Sequence, residues 1–352
     1  MYSIEFYRLD IENAKFTFLG ECSTYTNLYY ENSLNNIGTC TFSLNIFDEY
    51  TKPIYLRRMS TVIVIKKNNT CVWFGPIADI QGSYEDVAGT INITAYSYLY
   101  FFKFRNTSKS VIYSQEEQCE IAWDLINDSQ SQTNGTLLIT EGLNPTSNKR
   151  DRTYETYTIS EALINLTNII EGFDFSFEPV LNADNRLSSV LFNSYYPAKG
   201  TDRSDLGKLE VGMNISAITL DTVSSLYNTV TVEGAGTGVP IIYEDNDADF
   251  QKAYSRIEGY EKASDISEYD SLEKHGDKLL SEKVEGYKIT LDVMPNSNII
   301  NSGLTIGDTV VCNIEVGNYL SLKDRKIRIE SMPIKVDEQG VDDLSLTAEI
   351  YG

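Results

Sequence analysis

Histidine and cysteine, the residues that most often serve as general base, thiol nucleophile or zinc ligand, are scarce in this sequence. It has one histidine, His275, beside Gly276 among charged neighbours, and five widely spaced cysteines, Cys22, Cys40, Cys71, Cys119 and Cys312, with no Cys-x-x-Cys pair. A serine or cysteine nucleophile usually needs an imidazole base, and one histidine assembles no convincing triad. Zinc sites of the His or Cys types lack their ligands. His275 therefore reads as a surface residue and the cysteines as buried thiols. A carboxylate pair of the glycosidase kind is the one chemistry the composition leaves open. Among 51 acidic residues, Asp174 between Phe173 and Phe175 comes closest to the apolar setting that raises a pKa.

Two further stretches invite a binding site. Gly234, Gly236 and Gly238 follow a strand-like run, but a dinucleotide fingerprint needs a helix directly after its glycines. Pro240, Ile241, Ile242 and Tyr243 read as another strand instead, so the glycines read as a loop or bulge. Lys149, Arg150 and Arg152 are the nearest approach to a basic cluster and read as part of a solvated loop, 144–152. No catalytic, cofactor-binding or metal-ligating residue is nominated, no cofactor is expected, and the chain is not expected to be an enzyme.

The charge balance, 29 basic against 51 acidic residues and a net charge of −22, argues against a surface built to grip phosphates. With 352 residues, of which 41% are hydrophobic, the chain exceeds one ordinary core. Abundant Ile, Val, Tyr and Thr mark it as folded and strand-rich. The first residues lack the basic segment and apolar core of an export signal. No apolar run approaches the roughly 20 residues that span a bilayer. The expectation is a soluble protein made in a cytosol.

Alternation of period two dominates residues 1–105, with Tyr2, Ile4 and Phe6, then Phe42, Leu44 and Ile46, then the apolar run 62–65. The exit Lys66-Lys67-Asn68-Asn69 is a hairpin signal. Residues 71–105 hold a strand expected to break at Gly75-Pro76. A second strand carries Ile91, Ile93 and Ala95, and a helical turn is expected at 98–105. Residues 106–206 change character. A helix is expected over 115–128, with Cys119, Ala122, Trp123 and Ile126 on one face. A capping box at Thr158 and Glu161 starts another helix, which turns Leu163, Leu166 and Ile170 inward and stops at Gly172. Helical spacing returns at 215–226. Residues 244–285 carry thirteen acids against six bases and an amphipathic helix around Leu272, Leu279 and Leu280. Strands resume at Tyr287 and continue to Ile350.

Three of these blocks resemble phage tail hub proteins, the baseplate or tail-tip hubs at the N-terminal region of tail-associated proteins. They are Trp73-x-Gly75-x-Ile77 with Ile91-x-Ile93-x-Ala95, then Asn228-x-Val-x-Val-x-Gly-x-Gly, then Gly307-Asp308-x-Val310 with Arg325-x-Ile327-x-Ile329. The resemblance implies an α+β, predominantly β chain: two related tail-tube-like β-barrels with an inserted α+β domain. The expected division is 1–105 first barrel, 106–206 inserted α+β domain, 207–234 return segment of helix and strand, and 235–352 second barrel with an acidic helical insertion at 244–285.

It further implies a homotrimeric virion structural protein of the tail tip, adapting a sixfold tail tube or distal tail ring to a threefold spike or fibre. Its partners would be a distal tail or tail-tube protein and a spike, fibre or tape-measure protein. DNA would pass a central channel without specific binding, and the chain would not insert into a membrane. Its place would be the virion tail, assembled in the host bacterial cytoplasm. Two other readings stay open at this point, a β-rich glycan- or receptor-binding module presenting some of the 24 tyrosines and a carboxylate-pair glycosidase.

Overall fold

Alternating apolar residues organise the first part of the chain into β1 (Tyr2–Asp10), β2 (Lys15–Cys22), β3 (Thr26–Ser33), β4 (Thr39–Asn45), β5 (Thr61–Lys67), β6 (Thr70–Glu85) and β7 (Ala88–Tyr96). The structure, a computed structural model, describes residues 1–85, 88–107, 110–155, 157–222, 226–236, 239–282, 286–295 and 297–351. The expected hairpin joins β5 to β6 through Asn68 and Asn69, both left-handed with φ of 50° and 67°, as a tight two-residue turn demands. One face of β1 and β5, with Ile4, Phe6, Ile63 and Ile65, shares a core with Phe42, Trp73, Ile77 and Ile93. The other face, with Tyr7, Leu9, Val62 and Val64, enters a second core together with the expected helical turn, a 3-10 helix at Tyr98–Phe104. The run 62–65 is wholly apolar because both of its faces are covered.

The expected break at Gly75-Pro76 is absent. β6 is continuous but changes partner there, pairing with β5 over residues 70–76 and with β7 over residues 77–85. Glycine is required at this corner for closeness rather than for a turn. A Cβ on Gly75 would lie 1.9 Å from the carbonyl oxygen of Tyr96.

The second part comprises β8 (Val111–Glu117), α1 (Gln118–Ser131), β9 (Ile139–Gly142), β10 (Lys149–Tyr154), α2 (Ile159–Thr167), β11 (Asp174–Leu181) and β12 (Leu187–Tyr195). α1 begins later than its spacing suggests, because the Glu117 carboxylate accepts from the amides of Cys119 (2.8 Å) and Glu120 (3.1 Å) and sets the boundary. The capping box of α2 is present. Leu163 and Leu166 are buried, but Ile170 lies beyond the helix end and is 37% exposed. The solvated basic loop is corrected too, since its second half is β10, in which Arg150 and Arg152 are each 1% exposed. Arg150 donates to the carbonyls of Ile170 (3.1 Å) and Glu171 (3.0 Å), capping the turn after α2. Arg152 lies 3.5 Å from Asp265. Both arginines act as internal struts.

The remainder holds β13 (Lys208–Glu210), β14 (Ile215–Thr222), β15 (Thr229–Gly234), β16 (Ile241–Asn246), α3 (Ala248–Tyr254), β17 (Glu258–Ala263), α4 (Tyr269–Glu282), β18 (Gly286–Val293), β19 (Thr309–Val316), β20 (Leu320–Arg328), β21 (Ser331–Val336) and β22 (Asp342–Tyr351). The helix expected over 215–226 is a strand to Thr222, and residues 223–225 lie outside the described residues, as do Thr237, Gly238 and 283–285. The register of β14 with β18, Ile218 opposite Leu291 and Leu220 opposite Ile289, buries alternate residues. That gain exists only through a partner some seventy residues downstream. The strand expected after the glycines is β16. β16, β15 and β17 form a small sheet whose core includes Val232, Tyr243, Leu272 and Leu279, with α4 packed on it. His275 points into this layer at 7% exposure, its Nε2 2.9 Å from Glu261, rather than sitting on the surface.

Eleven strands form one ladder in the order β14-β18-β22-β21-β3-β4-β7-β6-β5-β1-β2. The fold is predominantly β with helices added, as expected. The barrels are not closed: among the described residues β2 and β14 each have one strand neighbour, so the ladder has two ends. Instead of each half closing on itself, the halves are joined edge to edge, β3 pairing antiparallel with β21 from Ser33 opposite Ser331 to Tyr29 opposite Lys335.

Candidate assembly surface

The first eight strands of that ladder, β14 to β6, form a sheet with one apolar and one polar face. Ile218, Leu220, Ile289, Leu291, Tyr30, Phe42 and Ile93 share the apolar side with the cores beneath. Alternation puts the intervening residues on the other side. These include Thr41, Thr94, Asn92, Thr219, Thr290 and Ser345, with Glu31, Asp79, Glu85, Asp221, Asp292, Asp343 and Glu349 against Lys288 and Lys335. The polar face is thus acidic, and among the described residues its large rings are those of Tyr29 and Tyr96.

The same four-strand order occurs twice within it, as β3-β4-β7-β6 and as β14-β18-β22-β21. The registers correspond rung by rung. Phe42 opposes Ile93 as Leu291 opposes Leu346, and Cys40 opposes Ala95 as Ile289 opposes Ala348. Even a side-chain bond recurs. Ser43 Oγ donates to Asn92 Oδ1 at 2.8 Å, and at the matching rung Ser345 Oγ donates to Asp292 Oδ1 at 2.7 Å, with the hydroxyl on the other strand. The two halves are not identical, since β13 lies parallel to β19 whereas β1 lies antiparallel to β5. The repeat is visible in Ile91-Asn92-Ile93-Thr94-Ala95 and Leu344-Ser345-Leu346-Thr347-Ala348, and aligning those two segments would have found it in the sequence.

Two edges of this sheet are open. Among the described residues, 79–85 of β6 pair only with β7, and β14 beyond the Ile215 bridge to Val211 pairs only with β18. Open edges are a liability unless another strand covers them.

Behind the β3–β21 seam lies a cleft of about 580 Å³ where the three parts of the chain meet, lined by Tyr30, Trp73, Phe177, Leu304 and Met332 among others. Asp174, the carboxylate singled out by its aromatic neighbours, is the tie at this junction. It accepts from Asn35 Nδ2 (2.7 Å), from the Lys199 amide (2.6 Å) and from the Arg328 guanidinium. Its charge is committed to holding the parts together. Asp174→Ala should therefore cost roughly 2–3 kcal/mol, discounted because Arg328 is a third exposed, readable as a lower urea midpoint.

Glu178 lines the same cleft. Burial works against its charge, yet hydrogen bonds from Tyr195 and Ser176 and the nearby Lys199 hold its carboxyl below the usual range. Tyr195 in turn is pushed up to about 12 by burial and by that carboxylate. A depressed carboxylate adds stability above its unfolded pKa and loses it as pH falls through the folded one. Tyr195→Phe should thus be less stable at neutral pH, and the gap should close in acid. Asp174 and Glu178 are four residues apart on one strand, roughly 13 Å at ordinary strand rise, beyond the roughly 5–9.5 Å of glycosidase pairs.

No protein-family model matches the sequence, and no curated protein does. Solved structures do. The tail protein from Neisseria meningitidis MC58 superimposes with a TM-score of 0.61 at 11% identity, covering 99% of this chain and 96% of that one. The prophage MuSo2 43 kDa tail protein from Shewanella oneidensis gives 0.62 at 13%, covering 99% and 98%. The chain has the fold of phage tail proteins. A third solved structure shares the fold. The E. coli c3393 protein, described as a type VI secretion component similar to the T4 tail proteins gp27 and gp5, gives 0.51 at 10%, covering 93% and 74%. The tail hub fold suggested by the three sequence blocks is thus the fold observed. Each of these solved structures is described as a tail protein or as similar to tail proteins.

Proposed function

We propose that this chain is the hub of a phage or phage-like tail, three copies forming a ring that adapts a sixfold tail tube or distal tail ring to a threefold spike, fibre or tape-measure protein. The observation that carries it is the repeated four-strand unit joined edge to edge at β3–β21. A chain built as two neighbouring segments of a ring needs three copies to present six similar units. Its place would be the virion tail, after assembly in the host cytoplasm. In this reading the first β unit runs to about residue 105, an α+β insertion that shares a core with its outer face runs to about 206, and a second β unit follows, interrupted by the acidic layer of β15–β17 and α4.

In this ring the acidic face lines the hole. Like charge within about a Debye length, roughly 8 Å at physiological salt, keeps passing DNA from sticking. Light scattering of the purified chain should give the mass of three copies, and the particle should not retard duplex DNA at low salt. Monomers at every concentration, or retention of DNA, would contradict the reading.

A further inference from the structure

We propose that the cleft behind the β3–β21 seam is a peptide site. A short extended segment of another protein lies antiparallel along the open edge of β11, with an apolar side chain opposite Phe177 and an asparagine or glutamine opposite Glu178. Every group involved lies within one chain, so the site does not depend on the ring.

β11 stands at one end of its sheet, paired only with β12 among the described residues. Five consecutive residues of it, 175–179, line the cleft. Successive side chains leave a strand on opposite faces, so a cleft that meets all five runs along the edge itself. The Phe175 amide donates to Asn35 Oδ1 at 2.9 Å, away from β12, and by alternation the amide and carbonyl of Phe177 point the same way. Asn35 covers the edge at Phe175, and Pro179 has no N–H to offer. Phe177 therefore presents both a donor and an acceptor to which no described residue bonds. An antiparallel strand satisfies both with a single residue.

The side chains set what that segment carries. Phe177 packs against Tyr98, with ring centroids 6.1 Å apart, and Tyr98 against Phe74 at 5.3 Å. Both of these rings line the cleft with Leu304 and Met332, and they suit an apolar residue opposite Phe177. On the other face of β11, Glu178 accepts from the Tyr195 hydroxyl (2.5 Å), the Ser176 hydroxyl (2.9 Å) and Lys199 Nζ (3.4 Å), all at Oε1. Oε2 has no partner among the described residues, although the side chain is 43% exposed. Lys199, with three donors, has some to spare. The ion pair is neutral as a whole and offers an acceptor beside a donor. Its charge complement is a carboxamide; a lysine or a glutamate in the same place would meet like charge.

The dimensions agree. One residue in a sheet fills about 160 Å³, from a rise of about 3.3 Å, a strand spacing of about 4.8 Å and a layer spacing of about 10 Å. The cleft of about 580 Å³ thus holds about three to four residues.

The blocked peptide Gly-Gln-Phe-Gln-Gly, titrated against the full chain by saturation-transfer NMR, tests the site. A dissociation constant of about 1 mM or tighter is expected. Methylating the phenylalanine amide removes the donor to the Phe177 carbonyl and should weaken binding at least tenfold. Lysine in place of both peptide glutamines should do the same, as should Glu178→Gln, which keeps the side chain's shape. Should that variant fail to fold, Ile306→Trp, which fills the cleft from another part of the chain, should abolish binding. No binding by the folded chain, or equal binding of methylated and parent peptides, would overturn the strand addition. Equal binding by wild type and Glu178→Gln would leave an apolar pocket only and overturn the carboxamide match. Binding that vanishes as copies associate would make a second copy the occupant and overturn the foreign segment. Particles of three copies that take no peptide at any concentration would overturn this site and leave the hub reading standing.

Discussion

Replacing Glu5 by alanine is expected to cost about 3–5 kcal/mol, the usual loss when one partner of a buried ion pair is removed. Glu5 in β1 is 2% exposed and accepts from Lys66 Nζ at 2.9 Å, from the Tyr7 hydroxyl at 2.5 Å and from the Arg186 guanidinium. Lys66 is almost as deeply buried, at 3% of its side chain. Without Glu5 its ammonium keeps only the carbonyl of Asn185, and the Tyr7 hydroxyl loses its acceptor. Arg186 and Asn185 belong to the β11–β12 turn, so the same change unclasps the insertion from the first β unit. Chemical unfolding followed by tryptophan fluorescence would report it, since Trp73 lies in the first core. Glu5→Leu with Lys66→Met should recover much of the loss, because the cost lies in the stranded charge. A single variant within about 1 kcal/mol of wild type would contradict this.

Gly75→Ala is expected to be at least as damaging, by a different route. The added methyl would sit 1.9 Å from the carbonyl oxygen of Tyr96 and 3.0 Å from Cα of Ser97. Both are backbone atoms, which cannot rotate aside as the end of a side chain can. Relief requires β6 to move from β7 at the corner where it changes partner, opening the apolar core around Ile77 and Ile93. Overpacking in a flexible surrounding costs about 1–3 kcal/mol, and against fixed backbone at a sheet corner the loss should exceed that range. The expected readout is insoluble protein or loss of protease resistance in residues 1–105. A folded variant with an unchanged midpoint would contradict it. By contrast Gly82→Ala, where a Cβ meets only the end of the Ile91 side chain at 3.0 Å, should fold normally.

Elements specified by neighbours along the chain were readable in the sequence. The Asn68-Asn69 turn, the Thr158–Glu161 box, the amphipathic α4 and the alternating β7 and β22 each carry their own signal within a few residues. Elements specified by distant partners were not. Nothing near Arg150 and Arg152 announces that the carbonyls of Ile170 and Glu171 and the carboxylate of Asp265 wait for them, so a basic segment reads as solvated. β14 resembles a helix because Ile215, Ile218 and Leu226 fall at helical spacing; β18 makes it a strand. The assembly surface was half legible. Ile91, Ile93 and Ala95 and Leu344, Leu346 and Ala348 stand out as buried faces, but that they are the same rungs of a repeated unit depends on pairing that spans the whole chain. That Asp174 joins three parts is likewise a property of packing.

Each chain is predicted to supply two adjacent segments of a ring. An electron cryomicroscopy image of the purified particle seen down its axis tests it most directly. The prediction is six lobes around an open hole, alternating between two kinds so that the rotational symmetry is threefold. A particle with no hole, or a ring with any number of chains other than three, would contradict it.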